Sequence, residues 1–508
     1  MIALPDPTTL DPRERHTLAC LVDASGLLRA EGEARAQAVR LRVTPRGPTD
    51  ADPDPDPDAD PDAVLRAQAP MAMPHRDGEV DLPREWLALA SDVLTMRSDG
   101  ASAPRDKHDR PTSASNRLVS AGVERWPVVS LLARALRNAT IAAAGERPCF
   151  TVDPWPEGKH WAAALSHDLD VASLWPAFTG LRVAELAGKG EFARVLQVLG
   201  SATARLLSDP VRDGVDAVLD AEATVRARST WFIICGTPTL ASWRKGDVTY
   251  LPESKRVRDI VARILAEGHE IGLHGSLETV LDGSRFAQQR SRLESITSTR
   301  VRGVRQHFLR RVVGATERAM RDASFIYDST AGFADRNGFR SGLADVAPVW
   351  DEASGSALAL EQVPFCWMDR AQSKYQGIEE PDRWVDDALE LAARCEAVQG
   401  LWCGIWHPNL TPALGFPGAP AAYARLVQTL AARGAWLAPL DAIVRWRVAR
   451  RSLRATAMRA DGTPTVHGVP DAVNISGATL RVRDRSGAVR ATVHAGAPPA
   501  INATVPPA

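Results

Sequence analysis

No two cysteines in this chain stand as a Cys-x-x-Cys pair. The six present, Cys20, Cys149, Cys235, Cys366, Cys395 and Cys403, are scattered, which excludes a zinc ribbon, a thioredoxin-type motif and a dense disulfide framework; reduced, buried thiols are expected. Stretches of about 18 consecutive apolar residues are also missing, and the opening Met1-Ile-Ala-Leu-Pro-Asp6 has no basic segment leading into an apolar core. Neither a membrane span nor an export signal is therefore expected, and a cytoplasmic location is the default. Net charge is equally scarce: 61 basic side chains stand against 62 acidic ones, so no overall field draws the chain to nucleic acid. No Gly-rich phosphate loop follows the first strand candidate, which weighs against an oxidoreductase on a dinucleotide-binding sheet. There is no internal repeat. Asn138, Asn474 and Asn502 begin Asn-x-Ser/Thr triplets, which carry no meaning without an export signal.

What the chain has is length and a rhythm. With 508 residues, 45% hydrophobic and 24% charged, it reads as a globular chain of two or three domains. Residues 1–150 mix short apolar runs with many arginines. The alternating Asp and Pro of 52–62 can form neither helix nor ladder, and a solvated linker or loop is expected there. Residues 83–94 and 126–136 carry apolar side chains at helical spacing, on either side of a polar stretch. From about residue 160 strand-length apolar runs alternate with amphipathic stretches. Strands are predicted at 161–165, 229–235, 270–273, 301–304, 325–327, 358–363, 401–405 and 435–437, and helices at 211–228, 255–267, 285–298, 315–323, 382–398 and 421–433. So many units in series predict an α/β fold, a distorted or incomplete (β/α) barrel over 151–450, with an open doubly wound sheet as the competitor. A small N-terminal α/β region (1–150) precedes the barrel. Alternation at 478–484 and 488–494 predicts a short β-rich C-terminal appendage with a tail, over 451–508.

Polar residues gather where the apolar runs stop, which in a barrel is the face on which sites are built. In Ser166-His-Asp-Leu-Asp170 the two aspartates are two apart, so on a strand Asp168 and Asp170 share a face. A metal or a neighbouring cation would let both stay ionised; the bland alternative is a helix cap or turn. Gly268-His-Glu-Ile-Gly-Leu-His-Gly-Ser276 is not the helical HExxH of zincins, because His269 and His274 are five apart. Taken as a strand, it sets Glu270, Gly272 and His274 on one face and makes His274 a candidate imidazole ligand. Arg305 and His307 follow another strand candidate and suit orienting a carboxylate and binding metal or substrate. His407, ending the apolar run at 401–406, is placed for general acid catalysis. For each imidazole a structural role is the alternative.

In order and spacing these places resemble the polysaccharide deacetylase superfamily, also called the NodB-homology or carbohydrate esterase family 4 group, over about 162–446. Ser229-Thr-Trp-Phe-Ile-Ile-Cys-Gly236 is similar to its second strand and Ile326-Tyr-Asp-Ser-Thr330 to its yD-S strand. The first motif is similar to that of a divergent branch written HDxD instead of TFDD. The resemblance implies an incomplete (β/α) barrel and a hydrolase acting on non-peptide amide C–N bonds. It implies Asp168 as base, Asp170 as metal-binding carboxylate, His274 as first histidine of an HxxxH motif, Arg305 as the arginine orienting the base and His407 as acid. The second histidine of HxxxH falls on Glu278, so the third metal ligand stays open among Glu278, His307 and His167. One residue separates the aspartates, so base and ligand can also be exchanged. Such an N/O site suits a divalent metal, zinc foremost. The implied reaction removes an acyl group, N-acetyl foremost, from a sugar or glycan precursor. Two other readings remain: a catalytically inactive carbohydrate-binding pseudoenzyme on the same fold, and an amidohydrolase acting on a small non-sugar amide.

Overall fold

The computed structural model describes residues 1–44, 73–100, 102–174, 177–204, 209–468 and 479–494. The Asp/Pro run at 52–62, the triplets at Asn474 and Asn502 and the terminal tail lie outside these residues. Among the described residues no helix is long and apolar enough to cross a membrane.

A mostly parallel sheet forms the centre. Strands β1 (Ala162–Leu169), β2 (Thr230–Ile234), β3 (Glu270–Gly275), β4 (Gly303–Gln306) and β5 (Tyr327–Asp328) lie side by side in chain order. Beyond β5 comes the antiparallel pair β6 (Ala347–Asp351) and β7 (Ser356–Gln362), with β7 against β5. On the far side of β1 lie β9 (Leu401–Ile405) and then β8 (Trp367–Met368), while β10 (Trp436–Leu437) pairs with the start of β1. Among the described residues no ladder joins β7 to β8. The chain itself crosses that seam: the Val363 N–H donates to Asp328 O at 2.8 Å on one side, and the Cys366 N–H to Cys403 O at 3.0 Å on the other. The result is the curled, incomplete (β/α) barrel that the alternating pattern predicts.

Helices Pro210–Thr224, Lys255–Ala266, Gly283–Thr297, Ala315–Asp322, Pro381–Ala397 and Ala419–Ala432 match the predicted ones. Ala177–Gly188, Phe192–Ala204, Leu240–Arg244 and Leu440–Ser452 go beyond the expected set. Three of these helices start where short polar side chains take up free backbone N–H groups: Asp209 accepts from Val211, Ser254 from Val257, and Asp282 from Ser284 and Arg285. The two-residue period of the strands separates two cores. Outward Trp161, Ala163, Leu165 and Leu169 pack with the helices, whereas inward Ala162 and Ala164 join Phe232, Phe365 and Cys403. Interior space is tight enough to need glycine at Gly272, where a Cβ would meet the Phe232 ring at 2.6 Å.

The barrel floor is closed by helix Leu440–Ser452, whose Leu440, Ile443, Val444 and Trp446 are buried. The N-terminal region forms a second sheet. Its strands run in the order Pro464–His467, Arg454–Met458, Arg29–Ala30, Ile2–Ala3, Val39–Thr44, Glu79–Pro83, His75–Arg76. The C-terminal β residues are thus distributed, two strands to this sheet and two, Thr479–Arg483 and Val489–His494, to a third sheet with Thr151–Val152.

Candidate active site

Because alternate residues of β1 face alternate ways, Ser166, Asp168 and Asp170 turn into the barrel and His167 turns out. Arg305, on β4, reaches across the interior. Its Nη1 meets Asp168 Oδ1 at 2.6 Å, its Nε donates to Ser329 O at 3.0 Å, and its Nη2 donates to the hydroxyls of Ser166 at 2.9 Å and Ser329 at 3.0 Å. The guanidinium carbon lies 4.2 Å from the centre of the Phe232 ring. Burial alone would push the Asp168 carboxyl up. Arg305, then His274 and His407, outweigh it and hold Asp168 below the ordinary carboxylate range.

Asp170 faces two imidazoles, with Oδ1 at 3.3 Å from His274 Nε2 and 3.5 Å from His307 Nε2. One donor atom from each of these three residues lies within 4.8 Å of the other two. Donors around a single ion with bonds near 2.1 Å keep separations of about 3–3.5 Å, so the spacing fits a divalent cation. The second nitrogen of each ring is occupied: His274 Nδ1 meets Arg305 O at 2.9 Å, and His307 Nδ1 meets Asp247 Oδ1 at 2.9 Å. Asp247 is in turn fixed by the Leu277 N–H, 3.1 Å from either oxygen. Backing of this kind sets the tautomer and leaves each Nε2 lone pair directed at Asp170. Asp170 Oδ1 itself is buried without a hydrogen-bond partner. An acceptor left so costs about 1–3 kcal/mol, a cost that a bound cation removes. Burial would also raise Asp170, but the imidazoles of His274, His307 and His407 take it far below the ordinary range. Burial lowers His274, and Asp168 and Asp170 more than reverse this, so a proton and a metal compete for its Nε2.

His407 follows β9 and is held by a residue that follows β8. Its Nδ1 meets Asp369 Oδ1 at 2.6 Å and its backbone N–H donates to Asp369 Oδ2 at 2.6 Å, while its Nε2 stands 3.6 Å from Asp170 Oδ2. Burial opposes protonation of this ring, but Asp369 and then Asp170 and Asp168 prevail and raise its pKa. Past His307 the chain is strained: Phe308 and Leu309 both have positive φ, 57° and 56°. Such conformations cost non-glycine residues on the order of 1–3 kcal/mol each and concentrate at functional sites. Phe308 is held by stacking on His307 at 4.2 Å and on His108 at 4.9 Å, and its carbonyl accepts from Arg110 Nη1 at 3.2 Å.

The structure therefore brings Asp168, Asp170, His274, His307 and His407 together around an open cavity of about 80 Å³, with Arg305 fully buried behind Asp168. Two candidates for the third metal ligand fall outside it. Glu278 stands beyond the end of β3, more than half exposed, and pairs with Arg285 at 2.7 Å. His167 points outward, with its Nε2 on Glu222 at 2.9 Å and its Nδ1 on Trp406 O at 3.0 Å. Asp247 and Asp369 escaped the sequence reading. Asp247 sits in a loop that no periodicity marks. Asp369 ends the short apolar run of β8, and the rule that located His407 reaches it too. Arg110, Arg370, Lys374 and Tyr375, which also line the cavity, had no sequence signal.

No protein-family model matches the chain, and no curated protein does. Solved structures are similar to it in part. A Mycobacterium smegmatis protein provisionally described as a polysaccharide deacetylase aligns over 60% of this chain and 96% of its own, at 21% identity and a TM-score of 0.40. The Bacillus subtilis peptidoglycan deacetylase PdaC aligns over 58% of this chain and 95% of its own, at 12% identity and a TM-score of 0.29. A Bacillus anthracis protein described as a carbohydrate esterase family 4 pseudoenzyme aligns over 57% and 66%, at 9% identity and a TM-score of 0.31.

Proposed function

We propose that the chain is a metal-dependent hydrolase that removes an acyl group, N-acetyl foremost, from a sugar or glycan precursor. One observation carries this reading: the unpartnered, buried Oδ1 of Asp170 lies 3.3 Å and 3.5 Å from two backed imidazoles, beside an arginine-held carboxylate and an aspartate-held histidine. Asp170, His274 and His307 would hold the divalent cation, and the mixed N/O set suits zinc. Such an ion, when bound, supplies the Lewis acidity that activates water and steadies negative charge on the acyl oxygen.

The remaining roles follow from what each side chain has left to give. Asp168 is ionised and has only one oxygen committed to Arg305, so Oδ2, 3.7 Å from His274 Nε2, is free to take a proton from the attacking water. Arg305 spends its N–H groups on Asp168, Ser166 and Ser329, which makes it a positioning residue for the base. His407 keeps its proton because Asp369 favours the imidazolium, and its Nε2 can pass that proton to the departing amine. Water oxygen bonds to the acyl carbon, the C–N bond breaks, and acetate and a free amine leave.

His307 supports this reading over the pseudoenzyme, because it offers a third donor in place of the second histidine of HxxxH, whose position Glu278 takes. The test combines metal analysis of protein purified without chelator with acetate release from N-acetylated sugars and small acetamides. Bound metal with acetate from the sugars is the expected result. Absence of both favours the pseudoenzyme, and release from small acetamides alone favours the non-sugar amidohydrolase.

A further inference from the structure

We infer that the substrate carries an anionic substituent, a phosphoryl group or a carboxylate, held beside the reacting acyl group by Arg370, Lys374 and Tyr375. This deepens the deacylase reading of the same pocket and rests on it. One wall of the cavity is the single segment that begins at Asp369 and continues through a π-helical turn, Ala371–Tyr375. Turns of this type are rare and occur often at functional sites. The same few residues thus hold the histidine proposed as acid and present two cations to the cavity.

The other charges lining the cavity have an opposite charge or an imidazole beside them. Asp168 has Arg305, and Asp170 stands among the imidazoles of His274, His307 and His407. Arg110 is committed three ways, to Asp106 at 2.6 Å, to Phe308 O at 3.2 Å and to the hydroxyl oxygen of Tyr375 at 2.9 Å. Arg370 and Lys374 differ: among the described residues no carboxylate pairs with either. Tyr375 accepts from Arg110, and among the described residues no protein acceptor takes its own hydroxyl proton. A guanidinium fork, an ammonium and a hydroxyl therefore line one open cavity without a protein acceptor among the described residues; Lys374 is exposed, and its Nζ lies 5.6 Å from the centre of the Tyr375 ring. Despite this exposure, partial loss of water around the Lys374 ammonium, and then repulsion from Arg370, lower its pKa to about 8; Arg110 and Lys107 add to this and Asp170 opposes it. Donors that repel one another are relieved by an acceptor-rich anion, to which arginine offers paired hydrogen bonds and lysine a point charge.

The test uses N-acetylglucosamine, its 1-phosphate, its 6-phosphate and its 3-O-lactyl ether, which carries a carboxylate. Binding is measured by calorimetry on the Asp168→Asn protein, which leaves the amide intact, and acetate release is measured on the unaltered protein. At least one anionic sugar should bind about tenfold tighter than the neutral one, a margin set by one charge-assisted hydrogen bond. Which probe gains tells phosphoryl from carboxylate. Adding Arg370→Gln and Lys374→Gln together should erase that advantage, as should high salt in part; Lys374→Gln alone serves if the double change impairs folding. Equal binding of neutral and anionic sugars, or an advantage that survives the substitutions, overturns the inference. Should no sugar release acetate while the anionic advantage and its loss both persist, the deacylase reading fails and the anion site stands.

Discussion

Two clusters of histidine and carboxylate lie on opposite faces of β1, built from nearly the same ingredients. On the outer face Glu222 accepts from the hydroxyls of Ser229, at 2.7 Å, and Tyr423, and meets His167 Nε2 at 2.9 Å; the other nitrogen of His167 is taken by Trp406 O. Burial would raise Glu222, but His167 and then His269 keep it below the ordinary range. Nothing of this carboxylate is left over, and helices seal it from water. On the inner face the carboxylates of Asp247 and Asp369 do similar work, yet the imidazoles they hold turn their remaining nitrogens toward Asp170, whose Oδ1 has no partner. Residue type does not separate the two clusters. Free donor atoms of His274, His307 and Asp170 meeting at one point do.

The sharpest way to break this comparison is to remove a donor from the inner cluster. Asp170→Ala, His274→Ala or His307→Ala should lose bound metal and activity together, since two remaining donors hold a cation poorly; full metal content in any of them would remove that residue from the ligand set. Next in size, Asp168→Asn and His407→Ala should keep the metal and lose about 10²- to 10⁴-fold in turnover, the usual contribution of a positioned base or acid. Undiminished acetate release from either would end its assignment. Asp369→Asn should cost less, about 10- to 100-fold, as for other groups that orient a functional histidine. It also carries a sign. Asp369 raises the pKa of His407, so its loss lowers that pKa, and the alkaline limb of the turnover profile moves to lower pH. A limb that stays in place would separate Asp369 from the acid. On the outer face Glu222→Ala should leave metal content unchanged and cost about 3–5 kcal/mol of stability, read from chemical denaturation, because a buried pair is broken. Metal loss from a still-folded variant would show that the two faces are coupled. The smallest effect belongs to Glu278→Ala, within about 0.5 kcal/mol and without change in metal, since its ion pair is exposed.

Much of this was legible in the sequence because strands announce their ends. Asp168, Asp170, His274, Arg305 and His407 each lie where an apolar run stops, and parallel strands gather those ends on one face. The β4 run was read two residues early, at 301–304 instead of Gly303–Gln306. That shift left the proximity of His307 to the cluster undecided. The outward turn of His167 was available from its alternation with Asp168. Other parts were hidden for physical reasons. Asp247 is brought in by a loop, and Arg110 comes from a segment far from the barrel in sequence; neither has a period to betray it. Glu278 misled because HxxxH spacing presumes a continuing turn, whereas the chain leaves β3 at Gly275 and carries Glu278 to the surface.

The pairing of Arg29–Ala30 with Arg454–Ala455 has a consequence for how the molecule is made. Arg29 leaves the ribosome some four hundred residues before its ladder partner, which follows only after the whole barrel has been synthesised. Contacts of such sequence separation form late and slowly. Until they do, the nascent chain carries an open strand edge, a template for pairing with another chain. A message truncated anywhere within the barrel leaves Arg29 and Ala30 without this ladder partner.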